Sequence, residues 1–102
     1  MSPMPALPAE LSTLLTGLVR LVAAEDRAAF VDLYHRASGP LLAAVRSRVP
    51  APPDAIAVVA SIFLEVWWLA RFHAEAGLDA MAWVDRIADL ELAARTRRHP
   101  QR

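Results

Sequence analysis

The sequence predicts an all-α fold, a small bundle of four helices in one domain. Four segments carry apolar residues at helical spacing, proline, glycine or aspartate separates each segment from the next, and no stretch alternates as a strand would. A chain of 102 residues is about the size of one small domain. We expect a flexible arm over residues 1–8, which hold three prolines, the helical domain over residues 9–98, and a tail over residues 99–102.

The first two helices are predicted over residues 9–24 and 27–49. Asp26 is expected to cap the second helix, since aspartate favours that position. Gly39 and Pro40 predict a kink or short break, because proline removes a backbone hydrogen bond and crowds the preceding turn. One face of the second helix is predicted to turn inward, with Phe30, Leu33, Tyr34, Ala37, Leu41, Val45 and Val49.

The third helix is predicted from Asp54, its expected N-cap, to Phe72. It is apolar on nearly every side. One stripe has the spacing of a core-facing side: Val59, Phe63, Val66 and Ala70. A second stripe lies where a surface helix normally carries charge: Ala57, Ala60, Ser61, Leu64 and Trp68.

A helix that is apolar all round lies at the centre of a larger protein, in a membrane, or against a partner. The membrane is the weakest of these interpretations, because the apolar run 55–70 is shorter than the ~20 residues of a span and contains Glu65. A domain of this size cannot usually surround a helix. We therefore expect a partner, with Trp67 in the core and Trp68 as an interface anchor.

The fourth helix is predicted from Asp79 or Ala80 to Arg98, after a short loop that contains Gly77. Asp79 is expected to cap it. Its inward positions are predicted to be Trp83, Ile87, Leu90 and Ala94, with Val84 beside them.

Composition excludes several classes of function. Acidic and basic residues balance at 11 each, so overall charge favours neither nucleic acid nor a membrane surface. Every basic residue is arginine, and four lie in the last eight residues: Arg95, Arg97, Arg98 and Arg102. Without cysteine there is no disulfide or zinc thiolate site, and the N-terminus lacks the pattern of a signal peptide, so we expect a cytoplasmic protein.

Convergent polar groups of the kind an enzyme needs are not found in the sequence. His73 and Glu75 are close along the chain, but two ligands fall short of the three or four that zinc needs, and we expect surface histidine. No phosphate loop, nucleophile motif or metal-binding helix motif is present. We expect neither catalysis, nor a cofactor, nor a metal.

Four segments in order resemble the region 2 domain of extracytoplasmic-function sigma factors. These are AAFVDLYHRASGPLL (28–42), IFLEVWW (62–68), ARF (70–72) and AWVDRIA (82–88), with RTRR (95–98) at the end of the last helix. The likeness covers about residues 18–98. It implies a small helical bundle built on Phe30, Leu33, Tyr34, Phe63, Trp67, Trp83 and Ile87.

The resemblance also implies partners. In that family the domain binds the clamp helices of the RNA polymerase β′ subunit and captures the promoter minus-ten element as a single strand. The positions expected to meet DNA are Arg71, Arg86, Arg95, Arg97 and Arg98; those expected to meet a protein are Ala57, Ala60, Ser61, Leu64, Glu65 and Trp68. Three phosphate contacts on a single strand would lose roughly twentyfold in affinity between 50 and 200 mM salt.

The chain departs from the family pattern on both sides. Polar positions of the third helix look like Ile56, Ala57, Ala60, Ser61, Glu65 and Trp68 here, and Asp89 and Leu90 stand where arginine and asparagine are common. Two functions are therefore expected. The first is transcription initiation with polymerase core and promoter DNA; the second is a degenerate sigma-like domain that binds itself, an accessory domain or a regulator through the third helix.

Overall fold

Long helices make up most of the computed structural model, which describes residues 9–98. They are α1 (Ala9–Ala23), α2 (Arg27–Arg46), α3 (Pro52–Leu69) and α5 (Ala80–Arg98). A 3₁₀ turn (Ala70–Phe72) and the one-turn helix α4 (His73–Ala76) join α3 to α5. Residues 9–98 contain no strand, so the predicted all-α bundle is confirmed. The predicted arm and tail, residues 1–8 and 99–102, lie outside the described residues.

The four long helices surround one apolar core. α1 packs on α2, α2 on α3, α3 on α5, and α1 closes the bundle against α5 and the 3₁₀ turn. The largest fully buried side chains come from all four helices: Leu15, Val19, Val22, Leu33, Leu41, Val45, Ile62, Val66 and Val84. Removing this apolar surface from water is the main force that holds such a bundle together.

The turn between α1 and α2 follows from local hydrogen bonding. Glu25 has a positive φ of 65°, and the amides of Glu25 and Asp26 donate to the carbonyls of Val22 (2.8 Å) and Leu21 (3.0 Å). This arrangement ends a helix by satisfying two of its last carbonyl groups. Asp26 then accepts from the amide of Ala29 at 3.0 Å, which confirms its predicted role as the N-cap of α2.

α2 continues through Pro40 without the predicted break and ends at Arg46, three residues earlier than predicted. Pro40 is exposed, so water can satisfy the Arg36 carbonyl that loses its helical donor. Leu33, Ala37, Leu41 and Val45 are buried on both sides of the proline. Packing of this continuous stripe offsets the lost hydrogen bond.

The ends of α3 also differ from prediction. α3 begins at Pro52, and its N-cap is Ala51, which makes no side-chain cap hydrogen bond. The prediction that Asp54 caps the helix was wrong: proline fits the first helical positions, where no amide is needed, and the N-cap lies three residues earlier. Asp54 instead lies in the first turn. Asp79 does cap α5, since its carboxylate accepts from the amide of Ala82 at 2.8 Å.

Two predicted core positions are exposed. Tyr34 is partly exposed at the edge of the α2–α3 contact, although its ring still packs on Phe63 at 4.9 Å between centroids. Leu90 is 65% exposed, because α5 turns Ala88 and Leu92 inward instead. Apolar periodicity correctly identified α5 as a helix. Which of its apolar residues become buried depends on where the neighbouring helices pack.

Candidate protein-binding face

α3 buries one side completely. Its buried positions are Ala55, Val58, Val59, Ile62, Phe63 and Val66. With Ala70 in the following turn, this includes the whole stripe that was predicted to face the core. The inner side of α3 therefore needs no function beyond stability.

The opposite side of α3 carries apolar residues into solvent. Leu64 is 59% exposed and Trp68 is 58% exposed, and exposed Ala60 and Ala57 lie one and two turns before Leu64. Ser61 is partly buried and Glu65 is exposed at the margin. We call these six positions, all predicted to meet a partner, the α3 face. Within residues 9–98 no other helix covers Leu64 or Trp68, so the bundle does not use this stripe as core.

Trp67 and Trp68 divide as the sequence predicted. Trp67 packs against Phe30 with ring centroids 5.2 Å apart in an edge-to-face arrangement, and Phe30 also meets Phe63 at 6.4 Å. Successive helical residues are about 100° apart, so the inward packing of the partly buried Trp67 places Trp68 on the outer side. Trp68 is thus fixed in direction by the packing of its neighbour.

Charged side chains lie beyond both ends of the α3 face. Asp54 precedes it in the first turn of α3, and its carboxylate lies 3.6 Å from the Arg95 guanidinium on α5. Arg71 follows it in the 3₁₀ turn, with its guanidinium 6.0 Å from the ring centroid of Phe72. Sequence reasoning did not place Asp54 at this surface, although its spacing of three residues from Ala57 could have shown it.

The arginines predicted to meet DNA separate into two groups. Arg95 and Arg98 turn towards neighbouring acids, since Arg95 pairs with Asp54 and Arg98 lies 3.5 Å from Glu91. Arg71, Arg86 and Arg97 are exposed, and none of the described residues forms an ion pair with them. Arg86 and Arg97 share the outer side of α5, three turns apart. The five positions do not form one basic patch.

A shallow apolar groove of about 350 Å³ lies between the end of α3 and α5. Its walls include Leu69, Phe72, Trp83 and Leu90, with Glu75 and Arg86 at the margin. Phe72 and Leu90 are exposed although both are large and apolar. This surface was not predicted, because Leu90 had been assigned to the core.

His73 is buried, and the expectation that it is a surface residue was wrong. It is 5% exposed and its ring packs edge-to-face on Trp83 at 5.1 Å, because α4 folds back beneath α5. Its Nε2 has no hydrogen-bond partner among the described residues. Residues 9–98 also contain no group of three or more His, Cys, Asp or Glu residues able to hold a metal ion.

Residues Pro52–Ala76 are long and apolar enough to cross a membrane by length and composition. This is a weak indication, since the core helix of a water-soluble bundle passes the same test. Here one side of the stretch packs against α2 and α5.

Comparison of the chain with protein-family models, curated proteins and solved structures gives no match. The geometry of the site must therefore support any functional conclusion together with the resemblance of the motifs.

Proposed function

We propose that this chain is a sigma region 2-like domain that binds RNA polymerase core through the α3 face and acts in transcription initiation without catalysis of its own. The proposal rests on the order of the four motifs and on one structural coincidence. The helix that the resemblance assigns to the polymerase clamp is the helix whose outer side stays uncovered. The cytoplasm is the compartment that this role requires.

The observation that supports partner binding most directly is the exposure of Leu64 and Trp68 side by side. Burying a large apolar side chain stabilises a complex by about 1.5–3 kcal/mol. Tryptophan is also among the residues that most often dominate binding energy. The same two side chains contribute little to the isolated domain, because most of their surface remains in water.

Contact with promoter DNA is the second part of the proposal. Arg71, Arg86 and Arg97 are available to phosphate groups, whereas Arg95 and Arg98 each have a carboxylate within 3.6 Å that opposes a phosphate. Asp89 lies on the same outer side of α5, with its carboxylate 3.5 Å from the Arg48 guanidinium, and its charge opposes phosphate there. We therefore expect DNA binding that is weak, independent of sequence and sensitive to salt.

The test is co-elution of the purified protein with RNA polymerase core. Leu64→Glu and Trp68→Glu are each expected to abolish co-elution while helicity and the free energy of unfolding stay near the unchanged values. Leu90→Glu is the matched control, since it also places a carboxylate at an exposed leucine, but on α5. If the α3 variants unfold the domain, the stripe is core; if Leu90→Glu is equally damaging, the effect is not specific to α3.

A second candidate is a sigma-like domain that has become a protein-interaction module. The observation that favours it is the chemistry of the α3 face, which is apolar where the family has polar groups, together with Asp89 on the DNA side. The partner would be a second copy, an accessory domain of the same protein or a regulator. A folded protein that core ignores, but that associates through Leu64 and Trp68, would favour this candidate over the first.

A further inference from the structure

The outer side of α3, together with the 3₁₀ turn that follows it, forms a regular seam from Asp54 to Arg71. Its positions are separated by three, four, three, four and three residues: Asp54, Ala57, Ser61, Leu64, Trp68 and Arg71. This alternation is the spacing that keeps one helix in contact with another along its length. The first and last positions carry opposite charges, and every position except partly buried Ser61 is exposed.

The seam is complementary to itself when it is reversed. Paired from opposite ends, an acid meets a base, a small residue meets the largest residue, and a second small residue meets leucine. The pairs are Asp54 with Arg71, Ala57 with Trp68, and Ser61 with Leu64. All three pairs have the same midpoint, between Ile62 and Phe63.

We propose that a second copy of this chain binds the seam, with the two α3 helices antiparallel about a two-fold axis that passes between residues 62 and 63. The proposal deepens the proposed function, since it rests on the α3 face being a protein-binding surface and names its occupant when no other partner is bound. A two-fold interface uses the same patch on both copies, so each pair occurs twice.

The residues decide the direction of packing. A parallel arrangement would place Trp68 against Trp68, Asp54 against Asp54 and Arg71 against Arg71. Like charges that face each other are destabilising. The antiparallel arrangement replaces both clashes with ion pairs, and Ala57 leaves room for the Trp68 ring of the second copy.

The charged ends are available for these pairs. Asp54 is exposed, and its contact with Arg95 at 3.6 Å is a surface ion pair of the kind that contributes little to stability. Arg71 is exposed beside Phe72, and none of the described residues forms an ion pair with it. Asp54 can therefore exchange Arg95 for Arg71 of the second copy at little cost.

The size of the seam predicts a dimer that dissociates readily. The sixteen α-helical residues of the seam, 54–69, span about 24 Å, and a strip of that length and one helix wide is at the small end of specific interfaces. A dissociation constant in the micromolar range is expected. Self-association and any other use of the α3 face exclude each other, because both cover Leu64 and Trp68.

The test is charge reversal, read as solution mass by analytical ultracentrifugation of the full chain across concentration. Asp54→Arg and Arg71→Asp each convert two attractive pairs into two repulsive ones. Each variant alone is expected to dimerise at least about tenfold more weakly than the unchanged chain. An equimolar mixture of the two variants restores both pairs and is expected to recover the dimer.

Matched controls separate this effect from charge in general. Glu10→Arg reverses another acid in a first helical turn, and Arg27→Asp reverses an exposed arginine at the start of α2. Their mixture is expected to dimerise as the unchanged chain does. A monomer at all concentrations, a variant mixture that stays monomeric, or an equal loss in the controls would overturn the proposal.

The same samples keep this proposal distinct from polymerase binding. Mixing the two variants is read without polymerase, and recovery in the mixture has no counterpart in a clamp complex. Recovery without co-elution with core would leave the dimer standing and refute polymerase binding. If the unchanged chain co-elutes with core but is monomeric at all concentrations, polymerase binding is supported and the dimer is refuted.

Discussion

The outer sides of α3 and α5 differ, although both helices bury six side chains in the same core. α3 exposes Leu64 and Trp68, whereas α5 exposes Arg86, Asp89 and Arg97 around a single large apolar residue. Because both helices bury the same number of side chains, packing in the core cannot explain why their exposed residues differ. The outer side of α5 is typical of a helix that meets water, and that of α3 is typical of a helix that meets protein.

The largest expected effect compares the inner and outer sides of α3. Ile62→Ala removes a fully buried side chain and is expected to lower the free energy of unfolding by about 2–5 kcal/mol, because a cavity remains in the core. Leu64→Ala, at a side chain that is 59% exposed, is expected to change it by less than about 0.5 kcal/mol. Urea unfolding followed by circular dichroism measures both.

The measurement requires dilute protein, so that loss of self-association does not add to the change in the free energy of unfolding caused by Leu64→Ala. Ile56→Ala, at another exposed position of α3, is the control for the change in helix propensity. Similar costs at Ile62 and Leu64 would mean that both sides of α3 are packed.

The helices themselves could be predicted well because helical periodicity and caps are local properties. Asp26 and Asp79 hold the amides that an N-cap should hold, and the neighbouring Trp67 and Trp68 separate inward and outward as their 100° offset requires. Those features depend on the chain within a few residues. No knowledge of the other helices was needed.

The errors arise where a distant helix decides the outcome. Leu90 fits the apolar period of α5 as well as Leu92 does, and only the position of the neighbouring helices turns Leu92 inward. Likewise His73 is polar in sequence, yet α4 folds it against Trp83. The α3 face was predictable because its apolar excess is larger than one core can absorb. Asp54 was not placed at the end of this face, because the sequence had assigned it to the N-cap of α3.

An intermediate effect is expected from the two groups of arginines. If Arg86 and Arg97 each meet a phosphate on single-stranded DNA, changing both to alanine should reduce the salt slope by about 1.4. Changing Arg95 and Arg98 to alanine should reduce it less, because the neighbouring carboxylates of Asp54 and Glu91, 3.6 and 3.5 Å away, repel a phosphate at these positions. Fluorescence anisotropy with a labelled single strand, titrated at several salt concentrations, measures both slopes.

This pair of variants tests whether the outer side of α5 has a function or only meets water. Equal slopes for the two double variants would show that the separation of the arginines has no consequence for DNA. No binding of the unchanged protein at low salt would remove DNA from the proposed function and leave α3 as the side to which a function is proposed.

The smallest expected effect concerns Asp85, which lies on α5 at the margin of the groove between α2 and α5. Partial burial raises the pKa of its carboxyl above the ordinary 3.8, and the neighbouring charges of Asp89 and Asp79 raise it further. Folding therefore opposes ionisation of this group. Its contribution favours the folded state at pH values below 3.8 and is lost as the pH rises through the folded pKa.

Asp85→Asn is consequently expected to increase the free energy of unfolding at pH 7, by less than about 1 kcal/mol because solvent screens the exposed carboxylate. The gain should disappear near pH 3, where aspartate is protonated in both states. Asp32→Asn is the control. Asp32 pairs with Arg36 at 2.8 Å, so this variant is expected to have a lower free energy of unfolding at pH 7. An increase in the free energy of unfolding of Asp85→Asn at pH 7 would show that the Asp85 carboxylate destabilises the fold, as expected for a charge on a surface that meets only water. A decrease in that free energy would show instead that the Asp85 carboxylate makes a stabilising interaction. The outer side of α5 would then be more than a surface that meets water.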